Sequence, residues 1–389
     1  MLTAHFIDIG QGNMVLLRLS TGTTILCDCN VTTENEARVL RELSAALFPQ
    51  RHIDVFMNSH READHMRGVQ RVHATFPISR VWDSGVTGGD TGSTEYREYM
   101  ACRLAVQGCE TVQRGFYYDY GTTRVRVMNA ENDDVRDNPN AQSVVLKVEN
   151  WQGGRVVNSL MLAGDSDVCT WERSILPRYR NPGDLASTIL MGGHHGSDTF
   201  VREASGRIYL DHLQAISPGM TILSVGEGNG YGHPDPFALW AYNTHSLGAQ
   251  WVIGGPPDLK VLRTDLHGSM RLQLNDDAGW VVTWTRPIPA PLPSLATLLN
   301  GLPSAARPPA PPTLLTGLGT LGRLTDQGLT PPSLAGILGP PHDTTGLLGL
   351  SGLSLSDLAR AALSKPPTSF PADILAEILR RRPPGSTPK

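Results

Sequence analysis

Histidines and carboxylates are concentrated in one short segment of the sequence, residues 59–66. Four of its residues have the chemistry of metal ligands: His60, Glu62, Asp64 and His65. Imidazole nitrogens and carboxylate oxygens together form the donor mix that suits Zn²⁺ or Mn²⁺. The segment directly follows an apolar run, residues 53–57, which predicts a strand. The pattern therefore predicts a metal site at a strand end, although the segment alone would also fit a solvated charged loop.

Three further polar segments follow apolar runs in the same way. The first is Gly164-Asp165, where a carboxylate after a glycine is well placed to bridge two ions. The second contains His194 and His195 between glycines that permit close approach of the backbone. The third ends at His233. Five of the twelve histidines fall in these three segments and residues 59–66 together, and strand ends that meet at one rim would collect them into one site.

The elements that must position these residues alternate between short apolar runs and amphipathic stretches. We expect strands at residues 4–9, 14–19, 24–29, 53–57, 80–82, 123–128, 143–148, 156–162, 188–191, 220–225, 250–253, 270–274 and 280–284. We expect helices at residues 34–47, 67–76, 94–107, 168–176 and 236–247. Strands and helices in this proportion favour two sheets packed face to face with helices outside.

Proline divides the chain into a core and a tail. Nineteen of the 29 prolines lie from Pro287 onward, which places the end of an ordered domain at residue 286. Residues 287–350 are rich in Pro, Gly and Leu, and suit an extended, partly disordered linker. Two short amphipathic stretches in residues 351–389 predict a helical tail. It would either bind a protein partner or fold back weakly on the core.

Composition limits the classes of protein. Hydrophobic residues make up 40% of the chain, enough for a large core, and the net charge of −4 means that any nucleic-acid contact must be local. The amino terminus lacks a signal segment, and no apolar run reaches the ~18 residues of a membrane helix. We therefore expect a cytoplasmic protein with no membrane contact. Five cysteines without C-x-x-C spacing argue against disulfides and a zinc ribbon.

The order of these motifs resembles that of the metallo-β-lactamase superfamily. Its successive motifs are similar to residues 60–65, Gly164-Asp165 and residues 194–197. The closest subgroup is the hydrolase domain of the ComEC competence proteins, which act in DNA uptake. Residues 6–12 (FIDIGQG), 231–234 (YGHP) and 263–268 (RTDLHG) resemble further motifs of that subgroup. The similarity spans residues 4–285, which is the whole core but not the tail.

The resemblance implies an α/β fold, the αββα sandwich of two mixed β-sheets with outer helices. It also implies a hydrolase that holds one or two divalent ions, zinc or manganese, with magnesium as an alternative. The implied ligands are His60, Asp64, His65, Asp165 and His195, with Glu62 as a further candidate. The candidate groups for proton transfer are Asp64, His194 and His233. The candidate substrate-binding residues are Gln11, Asn13, Asn140, Ser143, Ser197 and Tyr231.

The sequence departs from the family pattern at three places. Glu62 stands where the superfamily has histidine and the subgroup aspartate, and Asn13 replaces an aspartate. No histidine lies near Asn140, where many relatives carry another metal ligand. One metal position would then be rich in oxygen ligands, which favours manganese or magnesium over zinc at that position.

The favoured function is a phosphodiesterase or nuclease that uses a metal-activated water. The substrate would be nucleic acid or a nucleotide-like phosphodiester. Five arginines near the first motif either bind phosphate as a local patch or are scattered surface charges: Arg51, Arg61, Arg67, Arg71 and Arg80. Two alternatives stay open, a module recruited by a partner into a multi-protein system and a pseudoenzyme that binds metal without turnover.

Overall fold

The computed structural model describes residues 1–86, 90–129, 138–181, 183–248 and 259–286. The expected linker at 287–350, the expected helical tail at 351–389 and the expected strand at 250–253 lie outside the described residues. Among the described residues, no helix combines the length and the apolar character that crossing a membrane requires.

Sixteen strands form within the described residues. In chain order they are β1 (Leu2–Phe6), β2 (Val15–Arg18), β3 (Thr24–Cys27), β4 (Cys29–Asn30), β5 (Ile53–Met57), β6 (Ile78–Asp83), β7 (Gly108–Thr111), β8 (Tyr117–Tyr120), β9 (Thr123–Val127), β10 (Leu146–Gln152), β11 (Arg155–Leu162), β12 (Ile189–Met191), β13 (Met220–Leu223), β14 (Val261–Arg263), β15 (Met270–Leu274) and β16 (Trp280–Trp284).

Helices and helical turns connect these strands. The α-helices are α1 (Glu36–Leu47), α2 (Ala63–Met66), α3 (Val69–Thr75), α4 (Thr94–Ala105), α5 (Leu176–Arg178), α6 (Asp211–Ile216), α7 (Pro236–His245) and α8 (Thr264–His267). A π-helical turn covers Thr170–Ile175, and 3-10 turns cover Asn140–Gln142, Gly193–Gly196 and Asp198–Phe200.

Fifteen of these strands form two mixed sheets, and β4 makes only isolated bridges to residues 66 and 67. The first has the order β16-β15-β1-β2-β3-β5-β6-β7, and the second has the order β14-β13-β12-β11-β10-β9-β8. In the first sheet β3, β5, β6 and β7 run parallel, whereas the strands on the other side of β3 pair antiparallel. In the second sheet β11 to β14 run parallel and β8 to β11 antiparallel. Each sheet therefore has one parallel half.

Alternation of apolar residues along the strands builds the layers. In β1, Leu2, Ala4 and Phe6 point into a core between the two sheets, where they meet residues such as Val125 and Leu146 of the second sheet. A second core packs α1, α3 and α4 against the outside of the first sheet, and a third packs α6 and α7 against the outside of the second. The αββα sandwich that the sequence predicts is confirmed.

The buried layers supply most of the stabilisation. Burying one large aliphatic side chain stabilises the fold by roughly 1.5–3 kcal/mol. An exposed ion pair such as the one between Arg71 and Glu36 contributes only about 0–1 kcal/mol. The rim of the sandwich can consequently carry polar and unpartnered groups without loss of the fold.

Local contacts move several element ends from their expected places. The strand expected from residue 143 begins at Leu146, because the Val144 amide donates to the Ser59 carbonyl of the other sheet at 2.8 Å. The helix expected from residue 67 begins at Val69, since Gly68 takes a left-handed conformation with φ of 74°. Strands β7, β8 and β14 were not expected, because each is short and lies at a sheet edge.

The parallel halves position the polar segments. Parallel strands end at the same edge of a sheet, and loops after their carboxyl ends form the usual crevice for ligands. Strand β5 is followed by residues 58–66, β11 by 163–167, β12 by 192–197 and β13 by 224–233. The four polar segments singled out in the sequence thus lie along one rim of the sandwich.

Candidate metal centre

The first polar segment is a loop with a short helix. Strand β5 ends at Met57, and His60 follows it as a buried residue. Helix α2 then carries Asp64 and His65. The Asn58 side-chain amide donates to the His65 carbonyl at 3.1 Å, which ties the helix back to the strand end. These contacts turn both histidines toward the same interior point.

Glycine permits the second segment to approach closely. Gly164 has φ of 55°, and a Cβ there would lie 2.9 Å from the Cβ of Ser143. The Asp165 amide donates to the Ser143 Oγ at 3.0 Å, and the His194 amide donates to the Gly164 carbonyl at 3.0 Å. Any larger residue at 164 would push Asp165 out of this position.

The third segment holds two histidines in an uncommon backbone conformation. His194 and His195 have φ of 48° and 54°, the left-handed region that costs non-glycine residues roughly 1–2 kcal/mol each. Side-chain contacts fix the rings in return. His195 Nδ1 donates to the Ser224 carbonyl at 3.0 Å, and His194 Nδ1 lies 2.9 Å from the Thr199 Oγ1. Strain of this kind is typical of functional sites.

The segments bring five side chains to one point. Asp165 Oδ2 lies 3.2 Å from His65 Nε2, 3.4 Å from His195 Nε2 and 3.9 Å from His60 Nε2. The His195 Nε2 also lies 3.4 Å from Asp64 Oδ2. Two overlapping groups result, both able to hold a metal ion: His60, His65 and Asp165, and Asp64, His65 and His195. The implied ligands are thus brought together.

The hydrogen-bond pattern of the rings suits a metal. Ser59 Oγ donates its proton to Asp28 Oδ2 at 2.7 Å, so it accepts from His60 Nδ1 at 3.1 Å. His65 Nδ1 donates to Asp28 Oδ2 at 2.9 Å. Both rings therefore direct Nε2 inward. The buried His60 Nε2 and Asp165 Oδ1 have no hydrogen-bond partner among the described residues. The donor set fits one or two divalent ions, which supports metal-dependent hydrolysis.

Charge at the centre also favours a cation. Burial alone would raise the pKa of the Asp165 carboxyl, but His195, His65 and His194 hold it well below its usual range. Burial lowers the pKa of His195, yet Asp165 and Asp64 outweigh burial and raise it to about 9. Burial and His65 lower the pKa of His60 to about 3. The carboxylates thus attract positive charge, which a divalent ion supplies better than a proton.

Asp28 is a functional residue that the sequence reasoning missed. It is 2% exposed, lies in the left-handed region with φ of 57°, and interrupts the chain between β3 and β4. Besides His65, it accepts the Ser59 amide at 2.6 Å. A carboxylate behind a ligand histidine fixes its tautomer and orientation. The available signal was a charged residue between Cys27 and Cys29 in an otherwise apolar stretch.

Two candidate residues lie beside the donor groups. The ring of His233 is 5.5 Å from that of His194 and 6.4 Å from that of His195. Burial, followed by the charge of His194, lowers the pKa of His233 to about 4. Glu62 belongs to neither donor group, and burial and Asp64 raise the pKa of its carboxyl.

The remaining expected substrate residues differ in position. Gln11 Oε1 accepts a hydrogen bond from the Gly226 amide at 3.3 Å, so it joins the loop between β1 and β2 to the loop after β13. Asn13 is buried. Ser143 is fully buried behind Asp165.

Asn140 and Ser197 have contrasting environments. Asn140 begins the 3-10 turn Asn140–Gln142, and its buried Oδ1 has no hydrogen-bond partner among the described residues. Ser197 Oγ accepts the Thr199 amide at 3.3 Å and caps the next 3-10 turn. Asn140 therefore has a free acceptor, whereas the Ser197 hydroxyl is engaged within its own loop.

The arginines near the first motif do not form one surface patch. Arg61 is 6% exposed, and its guanidinium donates to Asp83 at 2.8 Å. Arg67 donates to Glu95 at 2.9 Å, and Arg71 pairs with Glu36. The alternative of a phosphate patch that includes Arg61 is wrong, because this residue holds the fold from inside.

Comparison with known proteins gives two curated relatives. The chain is 27% identical to competence protein ComA of Neisseria gonorrhoeae over 267 residues, which cover 69% of this chain and 31% of that protein. It is 24% identical to ComE operon protein 3 of Bacillus subtilis over 290 residues, covering 70% and 33%. The chain thus spans about a third of the length of these relatives. They confirm the resemblance to the ComEC-like competence proteins. No protein-family model matches the chain.

Solved structures with a related arrangement include two proteins. The metallo-β-lactamase fold protein YhfI of Bacillus subtilis aligns with a TM-score of 0.42 at 9% identity, covering 70% of this chain and 100% of that chain. The diiron β-hydroxylase CmlA of Streptomyces venezuelae aligns with a TM-score of 0.38 at 14% identity, covering 63% and 50%.

Proposed function

We propose that this chain is a metal-dependent phosphodiesterase whose substrate is nucleic acid or a nucleotide-like diester. One observation carries the proposal. Asp165 directs one carboxylate oxygen at four histidines within 3.9 Å, while its other oxygen is buried with no hydrogen-bond partner in the part of the chain that the structure describes. This oxygen belongs to the donor group of His60 and His65 and also lies 3.4 Å from His195 Nε2 of the other group, a position that would suit a ligand of two ions.

The bound metal would supply a nucleophile at neutral pH and neutralise charge on the phosphate oxygens. The protein side chains would transfer protons and bind the phosphate. Asp64 is 27% exposed, so it faces the open side of the centre, where we assign it to accept the proton of the attacking water. His65 and His195 keep its carboxyl ionised, since they hold its pKa well below the usual range against the effect of burial.

We assign the leaving-group side to His194 and His233. With a pKa of about 4, the His233 ring is neutral at pH 7. A phosphate anion next to the ring would favour its charged form and raise that pKa. His233 would then bind the phosphate and protonate the leaving group, and His194 lies between it and Asp165.

The preference for a phosphodiester rests on the motifs shared with the ComEC competence proteins. The same centre chemistry would also act on esters, amides or phosphomonoesters, so the bond must be tested directly. A small chromogenic diester carries the same singly charged phosphodiester group as nucleic acid, so its hydrolysis tests the type of bond cleaved.

The test is hydrolysis of four chromogenic substrates with Mn²⁺, Mg²⁺ or Zn²⁺. They are bis(p-nitrophenyl) phosphate, p-nitrophenyl phosphate, p-nitrophenyl acetate and nitrocefin. Labelled single- and double-stranded DNA and RNA then rank the polymers. We expect the diester to be cleaved fastest, and Asp165→Ala to lose at least 100-fold in rate.

The matched control is Asp119→Ala, which removes an exposed carboxylate of β8 that pairs with Arg124 of β9. It should keep the wild-type rate. Faster turnover of another substrate class would contradict the proposed phosphodiesterase activity. Metal binding without turnover of any substrate would favour the pseudoenzyme.

A further inference from the structure

Tyr231 is an exposed aromatic residue beside the metal centre. Its side chain is 73% exposed, whereas tyrosine is on average intermediate in burial. It lies in the loop after β13, between the last two glycines of the alternating run Gly226, Gly228, Gly230 and Gly232. An exposed aromatic residue next to a candidate active site calls for a physical reason.

Hydrogen bonds hold this loop in its shape. The Asn229 side-chain amide donates to the Gly226 carbonyl at 2.8 Å and to the His233 carbonyl at 2.6 Å. Its Oδ1 accepts the amides of Tyr231 at 3.2 Å and of His233 at 3.0 Å. Four bonds from one side chain fix the backbone on both sides of Tyr231. The exposure of the ring is therefore a property of an ordered loop.

A series of ring contacts connects Tyr231 to the centre. The Tyr231 and His233 rings stack at 5.7 Å with an interplanar angle of 26°. The His233 ring contacts that of His194 at 5.5 Å, and His194 Nε2 lies 3.6 Å from Asp165 Oδ2. Tyr231 is thus the outermost ring of a series that starts at the Asp165 carboxylate.

Space is open around the exposed ring. A Cβ placed on Gly228, Gly230 or Gly232 would meet nothing within 4 Å. The glycines on both sides of Tyr231 have no side chains to cover its ring. A flat group can therefore reach the ring while an attached phosphate reaches His233.

We propose that Tyr231 is a stacking platform for the nucleobase next to the scissile phosphate. This inference rests on the proposed phosphodiesterase function and narrows its substrate to a diester that carries a base. A base offers the flat face that stacks on tyrosine, and every base has one, so the platform tolerates any sequence. The sugar links the stacked base to the phosphate beside His233.

The experiment compares two diesters with the same leaving group. Thymidine 5′-(p-nitrophenyl phosphate) carries a base, whereas methyl p-nitrophenyl phosphate has none. With Mn²⁺-loaded protein, Tyr231→Ala should raise KM for the thymidine ester about tenfold, within a range of roughly five- to 150-fold. The KM for the methyl ester should change less than twofold, and kcat should stay near wild type for both.

Two variants act as controls. Tyr231→Phe keeps the ring without the hydroxyl and should retain the wild-type KM for the thymidine ester. Tyr117→Ala removes another exposed tyrosine, on the edge strand β8, and should change neither KM. Equal effects of Tyr231→Ala on both esters, or no effect on either, would overturn the platform.

Calorimetric binding separates failure of the platform from failure of the proposed function. Thymidine 5′-monophosphate and inorganic phosphate are titrated into the full-length protein. If stacking occurs, only the nucleotide binds more weakly to Tyr231→Ala, whether or not any diester is hydrolysed. If both ligands bind the variant as they bind wild type, the platform is refuted even where diester turnover is observed.

Discussion

At the scale of single residues, the centre depends on which nitrogen each histidine presents. Asp28 accepts from His65 Nδ1, and the Ser224 carbonyl accepts from His195 Nδ1. These partners leave both Nε2 atoms for the centre, where they lie 3.2 Å apart. Two inward-facing ring nitrogens at this distance can share a proton, or both can bind a metal ion. The partners behind His65 and His195 thus orient the two rings toward the candidate centre.

Asp28→Asn tests this role. Asparagine tolerates the left-handed backbone at position 28, so the fold should persist. The loss of negative charge behind His65 should weaken metal affinity about 10- to 100-fold. Competition with a chromogenic chelator measures the affinity for Mn²⁺ and Zn²⁺.

The control for Asp28→Asn is Asp54→Asn. The Asp54 carboxylate accepts from the amide and the hydroxyl of Thr24, in the strands away from the rim. This variant should bind metal as the wild type does. Equal affinities in wild type and Asp28→Asn would show that the carboxylate does not support His65.

Sequence reasoning selected the candidate ligands but not the groups that support them. His60, Asp165 and His195 carry side chains whose chemistry and position after apolar runs point to metal binding. Ser224 acts through its backbone carbonyl, which every residue has, and so left no signal. Arg61 was instead a candidate phosphate-binding residue that proved to be buried. Its charge near the motif does not indicate whether the side chain faces solvent or Asp83.

At the scale of elements, the first polar segment, residues 58–66, is anchored to its neighbours through Asp83. This carboxylate ends β6 and is 1% exposed. It accepts from Arg61 at 2.8 Å, from the Tyr99 hydroxyl at 2.7 Å and from Arg103 at 2.8 Å. Tyr99 and Arg103 belong to α4, so the network joins the loop, the strand and the helix.

Arg61→Met should destabilise the protein by about 3 kcal/mol. Removing one partner of a buried ion pair leaves an incompletely compensated charge, which costs 3 kcal/mol or more. Arg103 remains beside Asp83 and limits the loss. Urea unfolding monitored by circular dichroism measures the difference.

The comparison variant is Arg71→Met, which breaks the exposed pair with Glu36. Its cost should stay below about 1 kcal/mol. Similar unfolding midpoints for the two variants would mean that the Asp83 network does not stabilise the first polar segment.

Element positions followed from the sequence where the chain is strongly apolar. The bounds of β5, β15 and β16 match the expected runs, since their side chains alternate into the central core. Strand β8 was missed because it is a short edge strand of sequence YYDY, half of it solvent-facing. The pairing order of the two sheets depends on contacts distant in sequence and has no local pattern.

At the scale of the whole molecule, acid stability depends on buried neutral histidine. His212 is fully buried on α6, with ring contacts to Phe200 at 4.6 Å, Trp171 at 5.5 Å and Tyr209 at 5.7 Å. Burial lowers its pKa to about 3. The unfolded chain, with an ordinary histidine pKa, therefore binds a proton first as pH falls.

The wild type should consequently lose stability as pH falls from about 6.5 toward 3. Between pH 6.5 and 4.5 this histidine alone should cost about 2–3 kcal/mol. His212→Leu should remove that part of the pH dependence, measured by urea unfolding at each pH. The exposed His52→Leu serves as the control. A parallel pH dependence in wild type and His212→Leu would contradict this assignment.

The central claim concerns the whole core, residues 1–286, in which all the implied ligands lie. Asp165 and four other side chains from three segments converge on one point, and we propose that they hold divalent ions for phosphodiester hydrolysis. Neither the fold alone nor the ligands alone would establish that activity. Metal binding and turnover must therefore be measured together.

The most direct measurement titrates Mn²⁺ into metal-free protein and follows bound ion and bis(p-nitrophenyl) phosphate hydrolysis on the same samples. We predict that turnover rises with the bound ion, saturates at one or two ions per chain, and is lost together with binding in Asp165→Ala. Turnover in metal-free protein, or binding and turnover retained in Asp165→Ala, would contradict the account.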